Sequence, residues 1–203
     1  MPLKGHRLAH RHIIFPPKSI AGACPMIARL NFAIAVILIA LNVFAEEPNK
    51  GPVIEDYGQS FPVANRDIPL IADHQYRVVF ELTKYSEDTT LVNRDLDRVA
   101  RFLNAHVAQG VPREKMDIAV VIHGATLISA LNDDAYQSKF GSKNPSLELI
   151  NRLADAGVEL YACGQSLGFR KWNKSDLASP VKVGLSAMTL VNVFQSRGYT
   201  YQL

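Results

Sequence analysis

The chain has 203 residues, with 22 lysines and arginines against 19 aspartates and glutamates. Five of the basic residues and none of the acidic ones lie in residues 1–45, so the other 158 residues carry 17 basic against 19 acidic side chains and are slightly acidic. The basic side chains are dispersed along the chain, which argues against nucleic acid as a partner. A length of about 158 residues fits one domain with its own core.

Residues 1–45 have the pattern of a secretory signal peptide. Arg29 precedes a run of 15 mostly apolar residues, Leu30–Phe44, and Ala45 lies where a signal peptidase cleaves. The run is short for a membrane span, which needs roughly 20 residues. Met26 begins a signal of ordinary length, and we expect it to be the true start. We therefore predict a periplasmic or secreted protein with no membrane segment after cleavage at Ala45.

Residues 46–75 differ in composition from the rest of the mature chain. They contain four prolines and no sustained hydrophobic period. Proline fixes φ and lacks the N–H that a sheet needs. We predict an extended arm over residues 46–75 that lies along the domain or a neighbouring subunit, followed by a folded domain over residues 76–203.

From Tyr76 onward, strand and helix patterns alternate. The predicted strands are short apolar runs: Tyr76–Leu82, Ile118–His123, Val158–Ala162, Val181–Val183 and Tyr199–Leu203. The predicted helices have apolar residues at three- and four-residue steps: Asn93–Gln109, a short one over Leu127–Tyr136, one that starts at Asn144-Pro145-Ser146 and stops at Gly157, and Ser186–Arg197. This alternation predicts an α/β fold with a mostly parallel sheet of about five strands, covered on both faces.

Cys163 is the main candidate for chemistry. Cys24 falls in the predicted signal, so Cys163 is the one cysteine of residues 46–203 and an intrachain disulfide is impossible there. It ends a predicted strand just before Gly164, and the carboxyl ends of parallel strands border the crevice where open α/β sheets bind ligands. An unpaired thiol in an exported protein is buried, reactive, or bonded to another chain.

His123 also ends a predicted strand, and it lies near Cys163 if the two strands are neighbours. A nearby imidazole, or the amides of a helix that starts at Gly164, favours thiolate over thiol and makes a nucleophile. The structural alternative stays open, because cysteine is among the most buried residue types. The loop Thr83–Asp88 has no glycine for a dinucleotide fingerprint or P-loop, and we expect no cofactor.

Three segments carry a resemblance to a known family. They are Val120–Gly124, Asn144–Leu147 and the more specific Gly157–Ser166, in which a Gly-Val pair precedes the cysteine. The chain from about Gly51 resembles the DsrE/DsrF-like family, which includes sulfur-relay proteins of the TusD and DsrE type and YchN-like proteins, and in particular its exported branch. The resemblance implies a three-layer α/β sandwich that assembles into trimers or hexamers. It also implies that Cys163 matches the cysteine that carries sulfur as a persulfide in relay members.

Two functions follow from these patterns. In the first, Cys163 accepts a sulfane sulfur as a solvent-accessible thiolate and passes it to a protein or small thiol, as a sulfurtransferase-type carrier. His123 then tunes its ionisation, the amides of Gly164 and Gln165 stabilise the anion, and Gly124 is a further binding residue. In the second, Cys163 is structural and the protein is a non-catalytic oligomeric binding module. A Cys/His metal site is a minor third option, because two ligands per chain are too few for a closed zinc site unless subunits share it.

Overall fold

The computed structural model describes Pro48, residues 51–85 and residues 88–203. The predicted signal peptide and its cleavage site after Ala45 lie outside these residues. Within the described part of the chain, none of the helices has the length and apolar character needed to cross a bilayer.

The centre of the molecule is one sheet of five strands. The strands are β1 (Tyr76–Leu82), β2 (Met116–Ile122), β3 (Glu159–Cys163), β4 (Lys182–Gly184) and β5 (Thr200–Gln202). Their order across the sheet is β4-β3-β2-β1-β5, and each neighbouring pair is parallel. Parallel neighbours need long crossover connections, and the helices supply them. All five carboxyl ends therefore lie along one edge of the sheet.

Five α-helices connect the strands and cover the sheet. They are α1 (Arg94–Ala108), α2 (Asp133–Phe140), α3 (Leu147–Asp155), α4 (Gly164–Arg170) and α5 (Ala187–Ser196). Short 3₁₀ helices occupy Arg113–Lys115, Gly124–Ala130 and Lys174–Asp176. The side chain of Asn93 caps the N-terminus of α1 by accepting hydrogen bonds from the amides of Asp95 and Leu96. Such a cap satisfies helix donors that have no internal partner.

The two faces of the sheet bury different amounts of apolar surface. Val78, Phe80 and Leu82 of β1 point into the larger core, which also contains the apolar sides of α1 and α3. The intervening residue Val79 points to the opposite face, where a smaller cluster lies under α5. Successive strand residues face opposite sides, so both faces of β1 are apolar, as expected for a strand buried on both sides. The result is a three-layer α/β sandwich, as predicted.

The five strands and the helices α1, α3 and α5 lie close to their predicted positions, α4 is additional to the predicted helices, and the segment between β2 and α3 differs from the prediction. The short helix predicted over Leu127–Tyr136 is wrong. That region holds the 3₁₀ helix Gly124–Ala130 and the separate helix α2, which begins one residue after Asn132. The side chain of Asn132 accepts a hydrogen bond from the amide of Ala135 at 2.8 Å, so it caps α2 and ends the preceding turn. The local apolar pattern does not separate these two short elements.

Residues 51–75 contain no helix and no strand. Asn104 of α1 connects the start of this segment to the domain. Its side-chain oxygen accepts the N–H of Ile54 at 2.9 Å, and its side-chain nitrogen donates to the carbonyls of Ile54 and Tyr57 at 3.0 and 2.9 Å. Both Ile54 and Asn104 are buried. A buried amide that satisfies several backbone groups holds the segment at a defined place on α1.

Candidate functional site

Cys163 lies where β3 passes into α4. It is the last residue of the strand and the N-terminal capping residue of the helix. Gly164 makes this junction possible, because a Cβ atom there would lie 2.8 Å from the carbonyl oxygen of Gly184 and 3.2 Å from that of Leu185. The missing side chain lets the β3–α4 junction approach the segment between β4 and α5. That approach brings the start of α5 close to the thiol.

The sulfur of Cys163 accepts hydrogen bonds from backbone amides. The amide of Ser166 donates to Sγ at 3.4 Å, as a capping interaction of α4. Burial raises the pKa of the Cys163 thiol, but the Ser166 hydroxyl and the amides of Ser166, Ala187 and Gln165 lower it, and the pKa lies below its ordinary value. Hydrogen bonds to the anion stabilise the thiolate, which is the nucleophilic form of cysteine.

Ala187, whose amide helps to lower the pKa of the Cys163 thiol, belongs to a second helix. Ala187 is the first residue of α5, and the side chain of Ser186 caps that helix by accepting the amide of Thr189 at 3.0 Å. Amides at a helix N-terminus point outward with a partial positive charge. The N-termini of α4 and α5 therefore both face the sulfur, so the site favours an anion at this position.

The expected solvent access of Cys163 is not observed. The residue is buried, with 4% of its surface exposed. It belongs to the smaller apolar cluster of the sheet, together with Val79, Ala119, Val121, Ala187 and Phe194. This burial arises because α5 folds back over the carboxyl end of β3. The sulfur thus has apolar neighbours on the sheet side and amide donors on the helix side.

His123 follows β2 at the same edge of the sheet. Ile122 pairs with Ala162, so the next residues of the two strands, His123 and Cys163, are cross-strand neighbours. The two residues therefore occupy adjacent positions at this edge of the sheet. No hydrogen bond joins them, however: the Nε2 atom of His123 lies 2.8 Å from Oε1 of Glu81, in an ion-pair contact that is not aligned as a hydrogen bond.

Glu81 connects His123 to a second strand. Its other carboxylate oxygen, Oε2, accepts the hydroxyl of Tyr201 from β5. This hydrogen bond, together with burial, raises the pKa of Tyr201 to about 12. Tyr201 therefore remains a neutral donor at any physiological pH. A surface depression of about 420 Å³ borders Glu81 and Tyr201 and is also lined by residues of α5: Met188, Val191, Asn192 and Gln195.

The three residues predicted to bind the anion, Gly164, Gln165 and Gly124, differ in their relation to the sulfur. The amide of Gln165 acts on the sulfur, whereas that of Gly164 is not among its donors. Gly124 has a φ of 57° and is exposed. Its amide donates to Ser166 Oγ at 3.4 Å, and its carbonyl accepts from Arg170 at 3.0 Å. Gly124 therefore contacts Ser166, whose amide donates to the sulfur of Cys163.

Sequence reasoning missed three residues of the site: Ser166, Ala187 and Glu81. The position of Ser166, three residues after a strand-ending cysteine, is a capping signal that could have identified it. Nothing local marks Ala187 or Glu81, because each reaches the site through the packing of a distant element.

The described residues contain no candidate metal centre, and a further cavity lies apart from the thiol. In residues 51–85 and 88–203, no group of three or more histidine, cysteine, aspartate or glutamate side chains is placed to hold a metal ion. A cavity of about 720 Å³ near the N-terminus of α1 is lined by charged residues of both signs, including Lys84, Arg94, Arg98, Asp95 and Asp97. None of the predicted site residues lines it.

These features define a class of protein: a three-layer α/β domain with a cysteine at the carboxyl edge of a parallel sheet, where two helix N-termini meet. The chain belongs to the DsrE/DsrF-like family, whose model matches residues 76–202. Among solved structures, it is similar to a protein of unknown function from Methanobacterium thermoautotrophicum, with 22% identity and a TM-score of 0.47, over 63% of this chain and 97% of that one. None of the curated proteins matches it.

Proposed function

We propose that the protein is an exported sulfur carrier, in which Cys163 holds a sulfane sulfur as a persulfide. The observation that carries this proposal is the set of donors around one sulfur atom. Amides of Ser166, Gln165 and Ala187 and the Ser166 hydroxyl lower the pKa of the Cys163 thiol despite its burial. A thiolate is the species that attacks a sulfane sulfur, and a persulfide anion at the same place uses the same donors.

The reaction needs no oxidant beyond the sulfur donor. The Cys163 thiolate attacks the outer sulfur of a donor persulfide, R–S–SH, so that a new S–S bond forms on Cys163 while the donor S–S bond breaks. The donor leaves as the thiolate R–S⁻, and the proton stays on the transferred sulfur. Transfer to an acceptor thiol is the same exchange in reverse. The acceptor is a protein thiol or a small thiol.

Family membership supports sulfur chemistry in general terms. The match to the DsrE/DsrF-like family covers all five strands and the cysteine itself. The relay members of this family use a cysteine after the third strand, and Cys163 ends the third strand here. The role of this particular thiol in sulfur transfer is part of the proposal.

The proposal includes a homo-oligomer, a trimer or hexamer, as the working form. Large apolar side chains are exposed close to the site, among them Leu185 and Met188 at the start of α5, at 70% and 80% exposure, and Phe169 on α4. Exposed apolar groups of this density on one edge support a subunit contact. Such a contact near Cys163 also limits which donors can approach the thiol.

The proposal also includes export through a signal peptide cleaved after Ala45. The apolar run Leu30–Phe44 and the preceding Arg29 support it. Expression of the full chain in a bacterial host and amino-terminal sequencing of the exported protein test this part. We expect the mature chain to begin at Glu46. A product that keeps residues 30–44 would contradict it.

Mass spectrometry of intact protein after incubation with polysulfide tests the carrier function. We expect the wild-type protein to gain the mass of sulfur atoms on Cys163 and to lose it on addition of a reducing thiol. Cys163→Ser has the same shape without the nucleophile and should gain nothing. Wild-type protein that stays folded and unmodified would contradict the proposal.

A second function is favoured by one observation, the burial of Cys163 under α5 with 4% exposure. In this alternative the protein is an oligomeric module for binding a ligand or protein, and Cys163 packs as a small apolar residue. The same mass experiment separates the two functions, because a structural cysteine does not load. Cys163→Ala should then leave every binding property intact.

A further inference from the structure

We propose that Glu81 and Tyr201 are positioning residues that orient the imidazole of His123 as the base for the Cys163 thiol. The proposal rests on the carrier function and deepens it, because it names the groups that activate the nucleophile. Three observations carry it: the register that places His123 beside Cys163, the contact between His123 and Glu81, and the hydrogen bond between Glu81 and Tyr201.

The strand register places His123 beside Cys163. Ile122 of β2 pairs with Ala162 of β3, so His123 and Cys163 are the next residues along two adjacent parallel strands. Neighbouring strands lie about 4.8 Å apart. His123 has extended backbone angles, and its amide continues the sheet by donating to the carbonyl of Leu82 at 3.0 Å. Side chains at such positions point to the same face, which here is the face under α5.

Glu81 is held at both of its carboxylate oxygens. Oε1 lies 2.8 Å from Nε2 of His123, and Oε2 accepts the hydroxyl of Tyr201. The side chains of His123 and Glu81 are 24% and 17% exposed, so water screens their interaction only in part. Tyr201 comes from β5, next to β1 in the sheet. The groups therefore form a row across four strands in the order Cys163, His123, Glu81, Tyr201.

The chemistry of this row follows from the tautomer that Glu81 selects. The negative charge of Glu81, 2.8 Å from Nε2, favours the imidazole proton on that nitrogen, which leaves Nδ1 with its lone pair. Nδ1 then takes the proton of the Cys163 thiol, and Glu81 stabilises the resulting imidazolium. When the donor persulfide R–S–SH gives its outer sulfur to Cys163, His123 returns the proton to the leaving R–S⁻. The net change is Cys–SH and R–S–SH to Cys–S–SH and R–SH, which balances.

The surrounding charges leave Glu81 as the anion that acts on His123. The α5 side chains that line the depression beside Glu81 are uncharged: Met188, Val191, Asn192 and Gln195. On α4, the charged group at this edge is Arg170, whose guanidinium donates to the carbonyl of Gly124 at 3.0 Å. Within the described part of the chain, Glu81 is the carboxylate that contacts His123. Replacing it removes one negative charge without disturbing another ion pair of this histidine.

The same face offers a matched control. Glu159 of β3 accepts the hydroxyl of Tyr161 at 2.7 Å, so the two residues form another tyrosine–glutamate pair under α5. This pair contacts Lys182, at 3.2 Å, and no histidine. The changes in stability and alkylation rate in a Glu159 variant are therefore those of breaking a tyrosine–glutamate pair on this face. The changes in a Glu81 variant also include the effect on His123.

The test uses Glu81→Gln and Tyr201→Phe, with Glu159→Gln as the control and urea unfolding to confirm that each variant folds. The rate of Cys163 alkylation by iodoacetamide is measured against pH. We expect Glu81→Gln to slow alkylation and persulfide loading near neutral pH by about ten- to a hundredfold, part of what a positioned base contributes.

The outcomes separate this inference from the carrier function. Tyr201→Phe should slow alkylation and persulfide loading by a smaller factor than Glu81→Gln does. Glu159→Gln should change neither rate. If Glu81→Gln and Tyr201→Phe fold but leave the pH dependence of alkylation as in wild type, the positioning role is refuted. If alkylation responds as expected while wild-type protein accepts no sulfur from polysulfide, the positioning role stands and the carrier function fails.

Discussion

Gly164→Ala is the substitution whose effect the structure predicts most directly. A Cβ at this position would lie 2.8 Å from the carbonyl oxygen of Gly184 and 3.2 Å from that of Leu185. Both are backbone atoms and cannot rotate away, so the β3–α4 junction must separate from the chain between β4 and α5. Forced overpacking of this kind costs about 1–3 kcal/mol of unfolding free energy. For a domain of this size, each kcal/mol lowers the melting temperature by about 2–4 °C.

Gly168→Ala is the matched control for this prediction. Gly168 lies in the same short helix, α4, and a Cβ there meets no atom within 4 Å. Alanine stabilises a helix interior by up to about 1 kcal/mol relative to glycine. Equilibrium unfolding in urea, at equal protein concentration, should therefore show opposite signs for the two variants. A Gly164→Ala protein as stable as wild type would refute the close approach that brings α5 to the sulfur.

Three further outcomes follow from the same contacts. Ser166→Ala removes the hydroxyl donor, raises the pKa of Cys163 and slows its alkylation near neutral pH, with rates that converge with wild type at high pH. Asn104→Ala leaves the amide of Ile54 buried without its partner and lowers the unfolding free energy, measured in urea, by about 1–3 kcal/mol. The control is Asn192→Ala at an exposed position, which changes the unfolding free energy by less than about 0.5 kcal/mol. Because the folded-state pKa of Cys163 is lowered, its ionisation contributes stability that is present above the unfolded pKa and lost as pH falls through the folded one. The stability of wild type relative to Cys163→Ser should therefore rise with pH across that interval, and a flat difference would contradict the lowered pKa.

The sequence predicts the sheet because its signals are local. The apolar runs at Tyr76–Leu82 and Val158–Ala162 need no partner to be recognised, and their alternation with helical segments determines the parallel arrangement. Cys163 and His123 are found for the same reason, since each ends an apolar run. The boundary between the 3₁₀ helix and α2 is missed, because it depends on one capping side chain, Asn132.

The burial of Cys163 and the role of Glu81 depend on packing between distant parts of the chain. Cys163 is covered by α5, which starts at Ala187. In the sequence Glu81 is an ordinary polar strand residue, and only the fold brings Tyr201 of β5, 120 residues later, beside it. No periodicity within either segment carries that information. For this site, the sequence identifies the candidate cysteine, and the tertiary structure identifies the groups that surround it.

The absorbance of the thiolate as a function of pH tests the central claim most directly. The difference spectrum between wild type and Cys163→Ser isolates this one sulfur, and the same titration in denaturant gives the reference. We expect the folded protein to develop thiolate absorbance at lower pH than the unfolded chain, because amide and hydroxyl donors stabilise the anion. A folded-state midpoint equal to or above the unfolded one would contradict it and leave Cys163 as a packing residue.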